Sequence, residues 1–538
     1  MLTRPLTLAM AQARLGQEYF RLWQHFQLRL LGLQTEPVAA PDSGDKRFRN
    51  ELWQNVPYFD FLKQFYLITS RHIYDQLTSV EGMDERDRVK VDFFTRQFLA
   101  AMSPSNFAAT NPEVWDQAIK TGGRSLFEGW NNFLRDYDWK TGLLRMKQAD
   151  VKAFQMGKNI AASAGKVVYQ TDLMQLLQFE PTTETVLKRP LLIVPPWINK
   201  YYILDLKPTN SFIKWACDQG HTVFVISWVN PDARLAGKGF DSYLSEGTLA
   251  AVDAVERQTG ERNINAIGYC IGGTLLATTL GYMAGVGDKR IAGATFFTTM
   301  TDFANPGELG IFIDEQSVSA LECKMSQRGF LEGYEMASAF SMMRSQDVVW
   351  PIYINRYLLG KQPPEFDVLY WNSDSTRMPA PMHGFYLRNM YLNNLLREKG
   401  GIKILGVPID LSKVTVPSCF VSTVDDHIAP WKSTYAGARL FGGPVRFILG
   451  GSGHVAGIIN PPSANKYGFW VNDSLPASAD EWFGQAVKHP GSWWPEWHRW
   501  AAALDGIRVP SRDPKNGPLP VLENAPGSYC TLRLDAEQ

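Results

Sequence analysis

The sequence predicts an α/β protein: a mostly parallel sheet with covered faces, interrupted by one long insertion and preceded by a mainly helical region. Three observations predict it. From Pro190 to Phe297, short apolar runs of strand length alternate with segments of helix length, as parallel strands joined by crossover helices require. The alternation stops at Thr301 and resumes at Val416, which marks an insertion. Before Ala164 the apolar residues recur with helical spacing instead.

In chain order, Leu15, Tyr19, Leu22, Trp23, Phe26 and Leu30 recur at spacings of three and four, giving an amphipathic helix. Residues 36–46 form a polar break containing Pro37, Pro41 and Gly44. The stretch from Asp45 to about Ala164 reads mostly helical, with Asn111 capping a helix that begins at Pro112. A helical N-terminal domain over 1–164 and a catalytic domain over 165–538 are therefore expected.

Within the second domain, Pro190–Val194 reads as a buried strand followed by the loop P-P-W-I-N-K-Y-Y. A helix (Ser211–Gln219), a strand (Thr222–Ser227) and a second helix (Tyr243–Thr259) lead to a strand ending at Ile267. Next comes Gly268-Tyr-Cys-Ile-Gly272, and then a helix over Thr274–Ala284 with Leu275, Leu276, Thr279, Leu280 and Met283 in its apolar pattern. Another strand spans Ile291–Phe297. The insertion, about 302–404, is dense in Pro and aromatic residues, and an insertion of that size in such a sheet is expected to cap the active site. Strands resume at Val416–Val424 and Val445–Leu449. The run S-W-W-P-E-W-H-R-W reads as a closing helix, and the Pro- and Gly-rich tail after it as a loose end.

Composition removes several function classes. Lys plus Arg and Asp plus Glu each number 54 among 538 residues, so no net field points to nucleic acid or an anionic surface. No apolar run is long enough for a transmembrane helix. The leader-like start, M-L-T-R-P-L-T-L-A-M-A, has too short an apolar core and continues into a helical pattern, so secretion is not expected. Five scattered cysteines (Cys217, Cys270, Cys323, Cys419 and Cys530), with no C-x-x-C pair, give neither a disulfide framework nor a metal motif. A reducing cytoplasm fits them best.

The G-x-C-x-G turn is the nucleophile elbow of α/β-hydrolases with Cys in place of Ser. Paired glycines allow the sharp reversal, and the Cys stands at a helix N-terminus, where an anion such as thiolate is favoured. Past the ends of the strands Val416–Val424 and Val445–Leu449 lie Asp425-Asp426-His427 and Gly450-Gly-Ser-Gly-His454. Nucleophile, acid, then His is the order of that fold, and ligands bind beyond the carboxyl ends of its strands. Cys270 is thus the candidate nucleophile, His454 its base and Asp426 the acid that orients the base. Asp425 and His427 are the competitors on the acid's turn, and Asp302 reads as a structural cap. For the oxyanion hole, the N–H of Ile271 follows the nucleophile. The loop after the first strand offers Trp197 or Ile198, since Pro195 and Pro196 have no N–H.

At these residues the chain resembles the class I polyhydroxyalkanoate synthases. The resemblance rests on V-P-Y-F-D (56–60), G-K-V-V-Y-Q-T-D-L (165–173), R-P-L-L-I-V-P-P-W-I-N-K-Y-Y-I-L-D-L (189–206) and G-Y-C-I-G-G-T (268–274). It continues through D-H-I-A-P-W (426–431), G-S-G-H-V-A-G-I-I-N-P-P (451–462) and G-S-W-W-P-E-W (491–497). It implies polymerisation of 3-hydroxyacyl groups from coenzyme A thioesters on Cys270, with His454 as base, no further cofactor and no metal. It supports Asp426 over Asp425, and implies that Asp426 also helps activate the 3-hydroxyl for extension. It further implies a homodimer on cytoplasmic polymer granules, with granule-associated proteins as partners. Trp197 stands where the family commonly has Cys, and M-H-G-F-Y-L-R (382–388) is less aromatic than the family, which bears on pocket shape. The coenzyme A phosphates need cations, for which Arg344, Arg356 and Lys361 in the insertion are candidates, although ordinary surface charge is the favoured reading of each singly. The alternatives are a thioesterase or depolymerase using water as acceptor, and a non-catalytic granule-coating protein.

Overall fold

The computed structural model describes residues 5–533, so Met1–Arg4 of the leader-like stretch lie outside it. The chain divides into two compact units, Met1–Asp150 with Ser338–Pro364, and Val151–Ala337 with Glu365–Gln538. The boundary falls at Asp150 rather than Ala164. The 302–404 insertion is not one body, because its middle belongs to the first unit.

The first unit is helical as far as Asp136: α1 (Pro5–Leu30), α2 (Pro57–Thr78), α3 (Glu85–Ala101), α4 (Pro112–Lys120) and α5 (Arg124–Asp136) are its longer helices. Asn111 caps α4 by accepting from the N–H of Glu113 at 2.9 Å. Helix does not continue to Ala164. Residues 137–164 are turns and two-residue strands, broken by Gly142 and Gly157 at positive φ. On α1, Leu15, Tyr19 and Leu22 pack with Val38, Phe61 and Ile68, while Trp23 and Leu30 of the same stripe stay exposed.

The V-P-Y-F-D motif proves to be structural. Pro57 opens α2 at a position whose N–H has no helical partner anyway. Asp60 is buried, with Oδ1 2.8 Å from Lys63 Nζ and Oδ2 2.8 Å from His25 Nε2. Gln64 Nε2 also donates to Asp60, at 3.0 Å. Its Oε1 accepts from the N–H groups of Val38 and Ala39, which ties the polar break to α2. Removing one partner of such a cluster leaves a buried charge uncompensated. Asp60→Ala is expected to destabilise this unit by about 3–5 kcal/mol in a urea titration, and a loss below about 1 kcal/mol would show that the cluster does not hold it.

The second unit is built on an eleven-stranded sheet. Its strands are β1 (Gly165–Gln170), β2 (Met174–Phe179), β3 (Leu191–Val194), β4 (Val223–Trp228), β5 (Ile264–Tyr269) and β6 (Ile291–Phe297). After the insertion come β7 (Ser418–Thr423), β8 (Val445–Gly450), β9 (Phe469–Val471), β10 (Val487–His489) and β11 (Glu523–Asn524). The spatial order is β10-β9-β8-β7-β6-β5-β3-β4-β2-β1-β11. The run from β8 through β7, β6, β5 and β3 to β4 is parallel, and antiparallel strands close both edges. The expected parallel sheet is therefore present, with edges that its apolar runs did not announce.

β4 and β5 are buried along their whole length, which accounts for their unbroken apolar character. Helix α6 (Ile271–Val286) is buried on nearly every side, as a helix of Gly, Ala, Leu and Thr can be. Its threonines satisfy their hydroxyls locally: Thr278 and Thr279 donate to the carbonyls four residues back, at 2.8 Å each.

The tail is not loose. Residues Arg508–Pro510 pair with Thr185–Leu187, and β11 pairs with β1. No helix of the described residues is long and apolar enough to cross a membrane.

Candidate active site

Cys270 occupies the turn between β5 and α6 with φ +53° and ψ −123°, outside the regions an L-residue favours. Two glycines make that turn possible. A Cβ on Gly268 would collide with the backbone of Gly273, and one on Gly272 with the carbonyl oxygens of Val194 and Pro195. The second collision shows how tightly the loop after β3 lies against the first turn of α6. Cys270 N–H donates to the carbonyl of Phe297 at 2.9 Å, anchoring the turn to β6. As the first helical residue, Ile271 has no intrahelical acceptor for its N–H.

Asp426 follows β7 and is buried, whereas Asp425 is exposed. Asp426 Oδ1 accepts from the N–H groups of Ile428 (2.9 Å) and Ala429 (2.8 Å). Its Oδ2 accepts from His454 Nδ1 at 2.7 Å. With Nδ1 so engaged, Nε2 remains for the Cys270 sulfur, the other hydrogen-bond partner of this ring. The three predicted residues are thus brought together. Burial alone would lower the His454 pKa, but the charges of Asp426 and Cys270 and the hydrogen bonds to both outweigh it and push the pKa up to about 10. His454 is further held by Tyr269, whose ring stacks on it at 5.8 Å and whose hydroxyl donates to its carbonyl at 3.3 Å.

The competitors fall elsewhere. His427 gives its carbonyl to the N–H of Glu308 at 3.3 Å. Asp302 Oδ1 accepts from Ala304 N–H (2.9 Å) and Asn394 Nδ2 (2.8 Å), and Oδ2 pairs with Arg397 (3.1 Å), a structural brace as expected. The other thiols offer a contrast. Burial raises the pKa of Cys217 to about 12 and raises those of Cys419 and Cys530 as well, so they stay protonated and inert. Cys323 is exposed, and Cys270 is partly buried.

The candidate phosphate-binding cations are each engaged by a neighbour. Arg356 is buried in the first unit and committed to Asp136, with Nη2 2.9 Å from Oδ1. Arg344 pairs with Asp347 at 2.7 Å, and Lys361 donates to Asn355 at 2.9 Å. Among the described residues no group of three or more His, Cys, Asp or Glu is arranged to hold a metal ion.

Two residues that sequence reasoning missed stand at the site. Tyr386 and Tyr391 lie with ring centroids 5.4 Å apart, and both phenols are close enough to feel the charge of Cys270. Tyr386 shares side-chain hydrogen bonds with Tyr391 and Thr274. Burial, before any neighbour, raises both phenol pKa values, so each keeps its proton. The cause is local: Leu387–Leu392 is a π turn, whose bonds close over five residues and bring residues five apart side by side. Phe303 completes the group, 4.9 Å from Tyr391. In the same segment His383 is buried and neutral; no partner among the described residues meets either ring nitrogen, and burial lowers its pKa to about 4.

The indoles of the S-W-W-P-E-W run buttress the His454 loop. Trp493 Nε1 and Trp494 Nε1 donate to the carbonyls of Gly457 and Ile458, at 2.8 Å each. The aromatic side chain of Trp197 is core, packed 4.9 Å from Tyr243 and 5.9 Å from Trp228.

Comparison with known proteins identifies the family. Residues 44–216 match the family described as the N-terminus of poly-beta-hydroxybutyrate polymerase (PhaC), and residues 194–461 match the alpha/beta hydrolase fold. The chain is 48% identical to the poly(3-hydroxyalkanoate) polymerase of Methylorubrum extorquens, over 97% of this chain and 86% of that one. It is also 48% identical to the poly(3-hydroxyalkanoate) polymerase subunit PhaC of Rhizobium meliloti, over 97% and 85% of the two chains. Identity to the PhaC subunit of Cupriavidus necator is 39%, over 98% and 89%. At that identity, along nearly its whole length, and with the α/β-hydrolase sheet beneath it, the chain belongs to the poly(3-hydroxyalkanoate) polymerase family.

Proposed function

We propose that this enzyme is an acyltransferase that polymerises 3-hydroxyacyl groups, 3-hydroxybutyryl among them, from their coenzyme A thioesters through an acyl group carried on Cys270. The reading is carried by one observation: a Cys270–His454–Asp426 array at the carboxyl ends of parallel strands, in a chain of the polymerase family. His454 holds the thiol proton, and the Cys270 sulfur attacks the thioester carbonyl. The N–H of Ile271, with that of Trp197 or Ile198, receives the oxyanion. The bond between the acyl carbon and the coenzyme A sulfur breaks, and His454 gives the proton to the departing coenzyme A thiolate. A 3-hydroxyl then gives its proton to His454 as its oxygen attacks the acyl-Cys270 carbonyl, forming one ester and freeing the thiol. Tyr386 and Tyr391, protonated and beside the sulfur, are placed to donate to the substrate's oxygens.

Water must be kept out if ester synthesis is to outrun hydrolysis. Cys270 packs against the main apolar core, with Tyr386 and Tyr391 near it and Phe303 packed on both tyrosines, which supports a synthetic rather than a hydrolytic role. Exposed Trp115, Phe127, Trp130 and Trp139 on the first unit suit adsorption to an apolar polyester surface. We place the enzyme, as a homodimer, on cytoplasmic polymer granules, among granule-associated proteins. No cofactor is needed beyond the coenzyme A of the substrate.

The test is incubation of the purified protein with 3-hydroxybutyryl-CoA, following free thiol and acyl product together. Thiol release with insoluble polyester is the expected result. Soluble hydroxy acid as the sole product would make the protein a thioesterase. No thiol release, with this or with longer 3-hydroxyacyl-CoAs, would leave the coating role.

A further inference from the structure

The loop after β3 carries the second oxyanion donor in the proposed mechanism, yet it contains two prolines and no regular element until Tyr201. Something must hold it in place, because oxyanion donors act only when their geometry is fixed before the reaction. Two segments far apart in sequence converge on it. The first is residues 370–376 of the insertion. Thr376 N–H donates to the Ile198 carbonyl at 3.0 Å, and its hydroxyl donates to the Trp197 carbonyl. Trp371 Nε1 donates to the Lys200 carbonyl at 2.8 Å, and Asn199 bridges to Ser375 as an antiparallel pair. The Trp197 carbonyl shares its peptide plane with the Ile198 N–H, so the Thr376 hydroxyl fixes that donor, and the Thr376 N–H on the Ile198 carbonyl fixes the plane that follows.

The second is the C-terminal segment, and it meets the first and the loop itself in a buried ionic cluster. The side chain of Lys200 is only 2% exposed and that of Asp374 only 1%, and they pair at 3.0 Å. Lys200 Nζ also donates to the carbonyl of Cys530 at 2.7 Å and to that of Leu532. Asp374 Oδ2 accepts from Tyr202 at 2.9 Å and faces Arg533 Nη1 at 3.5 Å. The Arg533 guanidinium lies 4.4 Å from the ring centroid of Tyr370 and donates to Ser373 at 3.2 Å. The ammonium two residues beyond Ile198 is thus neutralised by the insertion and solvated by the backbone of the C-terminal segment. Each member needs the others, since a buried charge without its partner is strongly unfavourable.

We infer that the C-terminal segment, residues 528–533, acting through the Lys200–Asp374–Arg533 cluster, is a positioning element for the Ile198 oxyanion donor. The inference rests on the proposed acyl-transfer reading, but its test does not require polymerisation. Lys200 and Arg533 touch neither Cys270 nor its base. Attack on a carbonyl needs the donors, whereas alkylation of the same sulfur by iodoacetamide forms no oxyanion.

The experiment compares two reactions of Cys270, alkylation by iodoacetamide and acylation by p-nitrophenyl butyrate, in full-length wild type, Lys200→Met, Arg533→Met and Arg533→Lys. Thiol release from 3-hydroxybutyryl-CoA is followed in parallel. Alkylation is expected to stay within about twofold of wild type in all three variants, while acylation falls about 10- to 100-fold in Lys200→Met and Arg533→Met. Arg533→Lys is expected to recover most of the rate, since it keeps the charge beside Asp374. Arg533→Met keeps the test open should Lys200→Met fail to fold. Parallel loss of alkylation and acylation in Arg533→Met would reduce the cluster to general stability and overturn the inference. Acylation within about twofold of wild type in Arg533→Met would overturn it as well. A wild type acylated by the ester but inert to the thioester would sink the polymerase reading alone, and the ester rates would still decide the role of the tail. A wild type alkylated but acylated by neither would show that the loop serves no carbonyl, and would overturn both.

Discussion

Cys270→Ala is expected to release no coenzyme A from 3-hydroxybutyryl-CoA above the uncatalysed rate, a loss of at least about 10⁴-fold. The size follows from what the sulfur does: without it no acyl group can be carried, and the oxyanion donors and His454 have nothing to act on. The variant should remain folded. Cys270 sits at φ +53°, a conformation as unfavourable for Ala as for Cys, so the substitution changes the strain little. Cys270→Gly separates the two properties. Glycine adopts that φ freely, so this variant should be as inactive as the alanine one yet more stable than wild type by about 1 kcal/mol in thermal or urea unfolding. An equally unstable glycine variant would mean that the turn stores no strain. Thiol release surviving in either variant would move the nucleophile away from Cys270.

How far the sequence reveals this protein depends on how local each feature is. The elbow is readable because strand, glycine, cysteine, glycine and helix follow one another within a few residues around Cys270. Asp426 and His454 are readable because each follows a largely apolar strand, the first buried throughout and the second buried from Phe447 onward. Features assembled from distant segments are not readable that way. β9, β10 and β11 are two or three residues long, too short to show a period. The contact of Lys200 with Cys530 and Leu532 joins residues more than three hundred positions apart, and a Pro- and Gly-rich tail carries no pattern that announces it. Ser338–Pro364 looks like part of one insertion because it lies between two stretches of it, yet it belongs with the first unit. Tyr386 and Tyr391 escaped for a geometric reason. Five-residue spacing separates two side chains on an α-helix and brings them together only on the π turn that the chain adopts there. Arg356 was misassigned because a lone arginine in an aromatic-rich stretch gives no sign that Asp136 has claimed it.

Asp426→Asn is expected to disable the site almost as thoroughly as loss of the nucleophile, by about 10³- to 10⁴-fold in thiol release, although it replaces one oxygen by one nitrogen. The reason lies in the two backbone donors on Asp426 Oδ1. The N–H groups of Ile428 and Ala429 require an acceptor there, so the amide oxygen of Asn takes that place and its NH₂ faces His454 Nδ1. Nδ1 must then accept, and the ring proton moves to Nε2, the atom that should receive the Cys270 proton. The base is present in the wrong tautomer. The same change alters stability in a defined pH window. The His454 pKa in the folded chain is raised above its ordinary 6.5 to about 10, so the stabilisation from its protonated form is complete below pH 6.5 and is lost as pH rises through about 10. In wild type this one group should lower the unfolding free energy by roughly 3 kcal/mol between pH 7 and pH 10. In Asp426→Asn burial is opposed by fewer favourable partners, so the gap between the two stability curves should be wide at pH 7 and narrow steadily towards pH 10. A gap that is constant with pH would show that Asp426 does not hold the His454 proton. Single-turnover rates then separate orientation from a second duty. Equal losses in acylation of Cys270 and in its deacylation by a 3-hydroxyl would assign Asp426 to the tautomer alone, whereas a larger loss in the second step would place its carboxylate on the attacking hydroxyl as well.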